Sequence, residues 1–181
     1  MQSQCEELGT FKIFPQETST FHWTDASKPL EISVKLDDHE YSGSLRIDGI
    51  GDINLRLKNT QERDSTILNV SISEETNSLY IVFTDVSYAP PYRIENQTKT
   101  RFKVQQVQSR SDDFDHLNPY QTISFAWTYP LAPKKLKISL CQLDCGDELD
   151  TFNIDSISKA EKFPMRDRKN KRDFILEITS E

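Results

Sequence analysis

An all-β chain of two tandem, sandwich-like repeat modules built from short antiparallel strands is the architecture this sequence predicts. Residue balance, apolar spacing and an internal repeat each point to it. The 181 residues include 15 Ile, 6 Val and 14 Thr but only 5 Ala. Ala fills helix surfaces, whereas β-branched side chains fit a pleated surface, so the balance favours sheet. Apolar residues make up 35% of the chain, a lean share, yet they are clustered and accompanied by 10% aromatics. A chain of this length can bury a core from such clusters.

Period-two alternation recurs along the chain and helical periodicity is nearly absent. Leu30, Ile32, Val34 and Leu36 alternate with polar residues and predict a strand with one buried face. Strands follow at Gly43–Asp48, Ile53–Leu57 and Ile67–Ile72. Leu79, Ile81 and Phe83 repeat the period-two spacing, with Tyr80 and Val82 making the opposite face apolar too. That pattern predicts a central strand covered on both faces. Further strands are expected at Tyr92–Glu95, Arg101–Val107, Ile123–Trp127, Leu136–Cys141, Thr151–Ile154 and Asp173–Ile178. Asp37-Asp38, Asp48-Gly49, Glu75-Thr76-Asn77, Asn118-Pro119 and Cys145-Gly146-Asp147 supply the turns between them. Two polar stretches read as solvated loops: the acidic Ser109–Asn118, and Met165–Arg172 with five basic residues in eight positions.

The chain repeats itself. Phe21-His22-Trp23-Thr24 returns as Phe125-Ala126-Trp127-Thr128, each followed by a proline and an alternating strand. Leu45–Ile50 matches Phe152–Ile157 around a shared Ile-Asp-x-Ile, Thr66–Ile72 matches Phe174–Ser180, and Thr10–Phe14 matches Arg101–Gln105. The loop Ser109–Asn118 lengthens the second copy alone. Two modules are therefore expected, 1–87 and 88–181, divided near Val86–Pro91, where Pro90-Pro91 cannot sit within a central strand. The opening strand Tyr92–Glu95 has no clear counterpart in the first copy, where Cys5 stands in place of Asn96. The pair is expected to be an excerpt of a longer repeat array, whose modules stack on their neighbours.

Several classes are disfavoured. A net charge of −7 argues against binding to nucleic acid or an anionic membrane surface. No apolar run reaches the length of a spanning helix. Cys5, Cys141 and Cys145 lack the spacing of a zinc site and are expected as reduced thiols, in a cytoplasmic setting without a signal peptide. Nucleophile-elbow, P-loop and zincin motifs are missing, and Gly49-Ile-Gly51 reads as a turn. Asp112, Asp113, Asp115 and His116 crowd one loop without the ligand spacing or glycine of a calcium loop, and read as a solvated acidic surface. No enzyme activity, cofactor, metal or homo-oligomer is expected.

The order of these motifs carries a resemblance. The second copy, Tyr92-Arg93-Ile94-Glu95-Asn96-Gln97-Thr98 through Phe125-Ala126-Trp127-Thr128-Tyr129-Pro130 to Leu136–Leu140, resembles a repeat of the adaptor-binding domain in the vacuolar protein sorting thirteen family of bridge-like lipid-transfer proteins. The first copy, from Phe21-His22-Trp23 to Leu45–Leu57, is similar to the later part of the preceding repeat. The resemblance spans roughly Phe11 to Ile178. It implies an array of all-β modules that binds short Pro-x-Pro motifs of organelle adaptors. It also implies recruitment of a lipid-transfer protein to membrane contact sites, with indirect, peripheral membrane association. Asn96 takes the position of the family's repeat asparagine.

The residues offer a physical route to such binding. An extended peptide can add to a sheet edge, with alternate side chains in apolar pockets. Proline lowers the ordering cost but cannot donate at its own position, so pairing runs through the other residues. Near the expected junction, Tyr88, Tyr92, Phe102, Tyr120 and Tyr129 could pack against proline rings. Asn96 could hold a turn at a strand end through bonds to nearby backbone. Two rivals remain at this point: a lipid-binding sandwich using the basic loop Arg166–Arg172, and a structural spacer within the array.

Overall fold

The computed structural model describes residues 9–23, 27–61, 64–141, 151–156, 161–167 and 172–178. Contacts divide the chain into two compact units, Met1–Leu30 and Glu31–Glu181. In the first unit, Phe11, Phe21 and Trp23 form an edge-to-face series with ring centroids 6.1 and 5.7 Å apart. A turn closes where Glu17 N–H donates to Phe14 C=O at 3.0 Å. Residues 21–23 carry no strand, although their counterparts around Phe125 do.

The second unit is all-β, with several small antiparallel sheets. Strand β1 (Glu31–Ile32) pairs with β2 (Leu45–Arg46). Strands β3 (Gly51–Lys58), β4 (Ser65–Glu75) and β5 (Ser78–Asp85) form a meander in that order. Strand β6 (Tyr92–Glu95) pairs with β9 (Thr122–Phe125). A four-stranded sheet has the order β11-β10-β7-β8, from β7 (Phe102–Gln106), β8 (Asp115–Leu117), β10 (Leu136–Leu140) and β11 (Thr151–Phe152). A 3-10 turn at Ile154–Ser156 precedes the hairpin of β12 (Glu161–Asp167) and β13 (Arg172–Ile178).

Alternation sets what is buried. Leu55 and Leu57 on β3 and Leu68, Val70 and Ile72 on β4 share one sheet face, and all are buried. A second core gathers Phe102, Val104, Leu117, Phe125, Trp127, Leu136, Ile138, Leu140 and Phe152. Phe102, Val104 and Gln106 point inward from β7, as Leu136, Ile138 and Leu140 do from β10. The Phe125 and Trp127 rings meet edge to face at 5.2 Å, a geometry that aligns a ring edge with a negative π-face.

Three expectations change. The Leu79–Phe83 run is the outer strand of its sheet, not a central one, and Leu79, Tyr80, Val82 and Phe83 are exposed. Two-sided apolarity signals a surface that favours cover, and the described residues do not supply one. The loop Ser109–Asn118 is not simply solvated: β8 forms within it and joins the four-stranded sheet. Strand β12 arises where no strand was anticipated, with Pro164 inside it, a position an edge strand of a hairpin tolerates. Of the basic run, Met165–Asp167 end β12 and Arg172 opens β13, while 168–171 lie outside the described residues. Cys5 and Cys145 also lie outside them, and Cys141 is a free thiol.

Candidate functional site

Around Asn96 the chain is fastened by a side chain that satisfies itself completely. Asn96 is 3% exposed and directly follows β6. Its Nδ2 donates to the carbonyls of Thr100 at 2.7 Å, Asn118 at 2.8 Å and, more weakly, Leu117 at 3.3 Å. Its Oδ1 accepts from Thr98 N–H at 3.0 Å and Thr98 Oγ1 at 2.8 Å. Its own N–H donates to Gln121 C=O at 2.9 Å. One short amide thus ties the end of β6, the turn before β7, and the segment between β8 and β9. A buried amide with both functions used is strongly specified, because a replacement breaks several of these bonds at once.

The other candidate residues separate into two groups. Phe102 is buried in the second core. Tyr92 packs against the same core, with its ring 6.0 Å from Trp127 and 6.4 Å from Phe125. Burial and a hydrogen bond from its Oη to Asp155 hold the Tyr92 phenol above its usual range. Tyr129 is half-buried: its N–H donates to Gln106 Oε1 at 3.1 Å, and its C=O accepts from Gln106 Nε2 at 2.8 Å. Burial, with Asp113 nearby, pushes the Tyr129 phenol up to about 12. Tyr88 and Tyr120 instead face solvent, 81% and 66% exposed. Tyr120 holds a positive φ of 57° in the turn whose Gln121 N–H bonds Asn118 C=O.

The structure also assembles a junction between β3 and β8. Arg56 on β3 donates from Nη1 and Nη2 to Asp115 on β8 at 2.6 and 3.0 Å, and from Nε to Ser65 Oγ at 3.0 Å. Its guanidinium lies 5.6 Å from the Phe125 ring centre. Lys58 pairs with Asp113. Backbone contacts run alongside: Arg56 N–H donates to Trp127 C=O at 3.2 Å, and Gly43 N–H to Thr128 C=O at 2.9 Å. A Cβ on Gly43 would lie 2.5 Å from Tyr129 Cδ1, so only glycine permits that approach. Sequence reasoning missed this cluster because Arg56 and Asp115 are 59 residues apart, and no local pattern links them. Asp113 and Asp115 are thereby engaged by cations, and the described residues contain no grouping suited to a metal ion.

His116 Nδ1 lies 3.3 Å from Cys141 Sγ, yet burial pushes that thiol up, away from the reactive thiolate. Among the described residues, β5 keeps an unpaired edge, and Tyr88 and Tyr120 stay exposed. Residues 2–134 match the adaptor binding domain of vacuolar-sorting associated protein 13. The chain belongs to that family. Its similar relatives include the intermembrane lipid transfer protein vps13A of Dictyostelium discoideum, 27% identical over 144 residues, covering 74% of this chain and 4% of the relative. The intermembrane lipid transfer protein vps13D of the same organism is 29% identical over 135 residues, 71% of this chain and 3% of that protein. Another, tipC, is 31% identical over 86 residues, 48% of this chain and 2% of its own length. The chain spans only 2–4% of these relatives. The adaptor-binding family match ends at 134 and so includes Asn96, the arginine–aspartate junction and all the tyrosines named above. No helix of the described residues is long and apolar enough to cross a membrane.

Proposed function

We propose that this chain is a non-catalytic recognition segment that binds Pro-x-Pro motifs of organelle adaptors by strand addition. Its binding recruits the lipid-transfer protein it belongs to, as a peripheral component of membrane contact sites. The match of residues 2–134 to an adaptor binding domain carries this reading. In the same reading, the functional modules follow the sequence repeat, 1–87 and 88–181, and the receptive surface lies at or beside the second. Of the candidate aromatics near the junction, Tyr88 and Tyr120 are the exposed ones, able to touch ligand directly. Asn96, Tyr92, Phe102 and Tyr129 shape the surface from beneath.

The spacing of the motif suits strand addition. In an extended strand, residues two apart direct their backbone groups to the same side. Both prolines of Pro-x-Pro can therefore turn their donor-less nitrogens outward, while the intervening residue pairs with the acceptor strand. Pro-Pro or Pro-x-x-Pro would force one proline inward and lose a ladder bond. A fluorescence-polarisation titration of a labelled Pro-x-Pro peptide tests the reading. Saturable binding, lost when both prolines become alanine, supports it. Failure of the folded protein to bind would contradict it.

A further inference from the structure

We propose that the free edge of β5 is the acceptor strand, and that the segment it accepts carries basic residues beside its Pro-x-Pro core. This rests on the adaptor-binding reading, moves its receptive surface to the last strand of the first module, and names the ligand's charge.

The edge is defined by hydrogen-bond parity. Val86 N–H donates to Ile67 C=O at 2.8 Å. In the β4–β5 register, residues 80, 82 and 84 share that hydrogen-bonded phase and pair inward with Ser73, Ser71 and Asn69. The hairpin turn agrees: Thr76 and Asn77 hold φ of 50° and 62°, a two-residue turn whose flanking pair, Glu75 and Ser78, is hydrogen-bonded. Leu79, Ile81 and Phe83 therefore turn their N–H and C=O groups away from β4. No strand among the described residues pairs with that side.

Edge strands normally protect themselves with lysine, proline or a bulge. β5 has none of these: its sequence is Ser-Leu-Tyr-Ile-Val-Phe-Thr-Asp and its register with β4 is unbroken. Its outward backbone groups sit beside exposed Leu79 and Phe83, on the face that buries Val70 and Ile72 in β4. A strand added here would extend an existing core row. β5 then runs through Val86 and Ser87 to the exposed Tyr88, so the edge is continuous with the junction aromatics.

Charge selects the occupant. Residues 65–92 contain no Lys, Arg or His but hold Glu74 and Glu75 just before β5 and Asp85 at its end. An extended apolar peptide with Lys or Arg flanks meets complementary charge there, whereas an acidic one is repelled.

The test uses a labelled peptide with a Pro-x-Pro core and Lys at both ends, beside versions with Glu ends and with a Pro-x-x-Pro core. Ile81→Pro removes one outward donor and leaves the donors facing β4 in place. Wild type is expected to bind the Lys-flanked peptide most tightly and to lose about tenfold with the Pro-x-x-Pro version, the worth of one hydrogen bond. Ile81→Pro should lose about as much. Glu74→Lys with Glu75→Lys, both exposed, should reverse the preference between Lys and Glu ends, and decides the matter if Ile81→Pro fails to fold. Equal binding by wild type and folded Ile81→Pro, or an unchanged charge preference in the lysine variant, overturns this inference and leaves adaptor binding standing. Absence of all Pro-x-Pro binding by wild type instead removes the reading on which it rests.

Discussion

Arg56 and Asp115 face each other in a two-point ion pair, 2.6 and 3.0 Å long, that fastens β3 to β8. Arg56 is 6% exposed and Asp115 is half-buried, so the pair is largely withdrawn from water. Its two halves must match, because a buried charge without its partner is costly while the intact pair roughly offsets its own desolvation. Asp115→Ala is expected to lower stability by about 3–5 kcal/mol, and Arg56→Met with Asp115→Leu by far less. Urea unfolding of the three proteins measures both.

The same pair makes a pH prediction. Burial alone would raise the Asp115 carboxyl, but Arg56 and Lys58 outweigh it and hold it below its usual range. A carboxyl depressed in the folded state contributes stability that is complete above its unfolded value near pH ~4. That contribution is lost as pH falls through the folded value. Thermal melts between pH 6 and pH 3 should therefore show wild type losing more than the Arg56→Met, Asp115→Leu protein. Parallel losses would mean that the pair carries no linked proton.

Asn96 is expected to be irreplaceable for folding of its module. Asn96→Ala leaves the Thr98 N–H without its partner, at about 1–3 kcal/mol, and takes one bond each from the carbonyls of Thr100 and Asn118, which keep Thr98 Oγ1 and Gln121 N–H. Asn96→Asp keeps the bonds from Thr98 but sets a carboxylate against those carbonyls, so at neutral pH it should not rescue. Denaturant unfolding, with amide exchange at Thr98, reports both effects.

Gly43→Ala should destabilise by about 1–3 kcal/mol, the usual cost of overpacking. The added Cβ meets Tyr129 Cα at 2.9 Å as well as the ring. Adding Tyr129→Ala should therefore not restore wild-type stability, which a double-mutant cycle measures.

Much of the fold could be read from local pattern. Alternation located the strands around Leu55, Val70, Val104 and Ile138, because each shows one face to a core. Asn96 stood out through its Asn-Gln-Thr setting and the repeat. Long-range pairing was illegible: nothing near Arg56 specifies Asp115, and nothing near Gly43 specifies Tyr129. The Leu79–Phe83 run misled for a related reason. Apolarity on both faces reports a demand for cover, and the same signal arises whether that cover is the chain's own or a partner's.

Amide hydrogen exchange with and without a saturating Lys-flanked Pro-x-Pro peptide tests the account most directly. Strand addition at β5 predicts new protection at Leu79, Ile81 and Phe83. Tyr80, Val82 and Thr84, already bonded to β4 in this register, should change little. Saturable binding with no alternating protection along β5 would contradict addition at that edge.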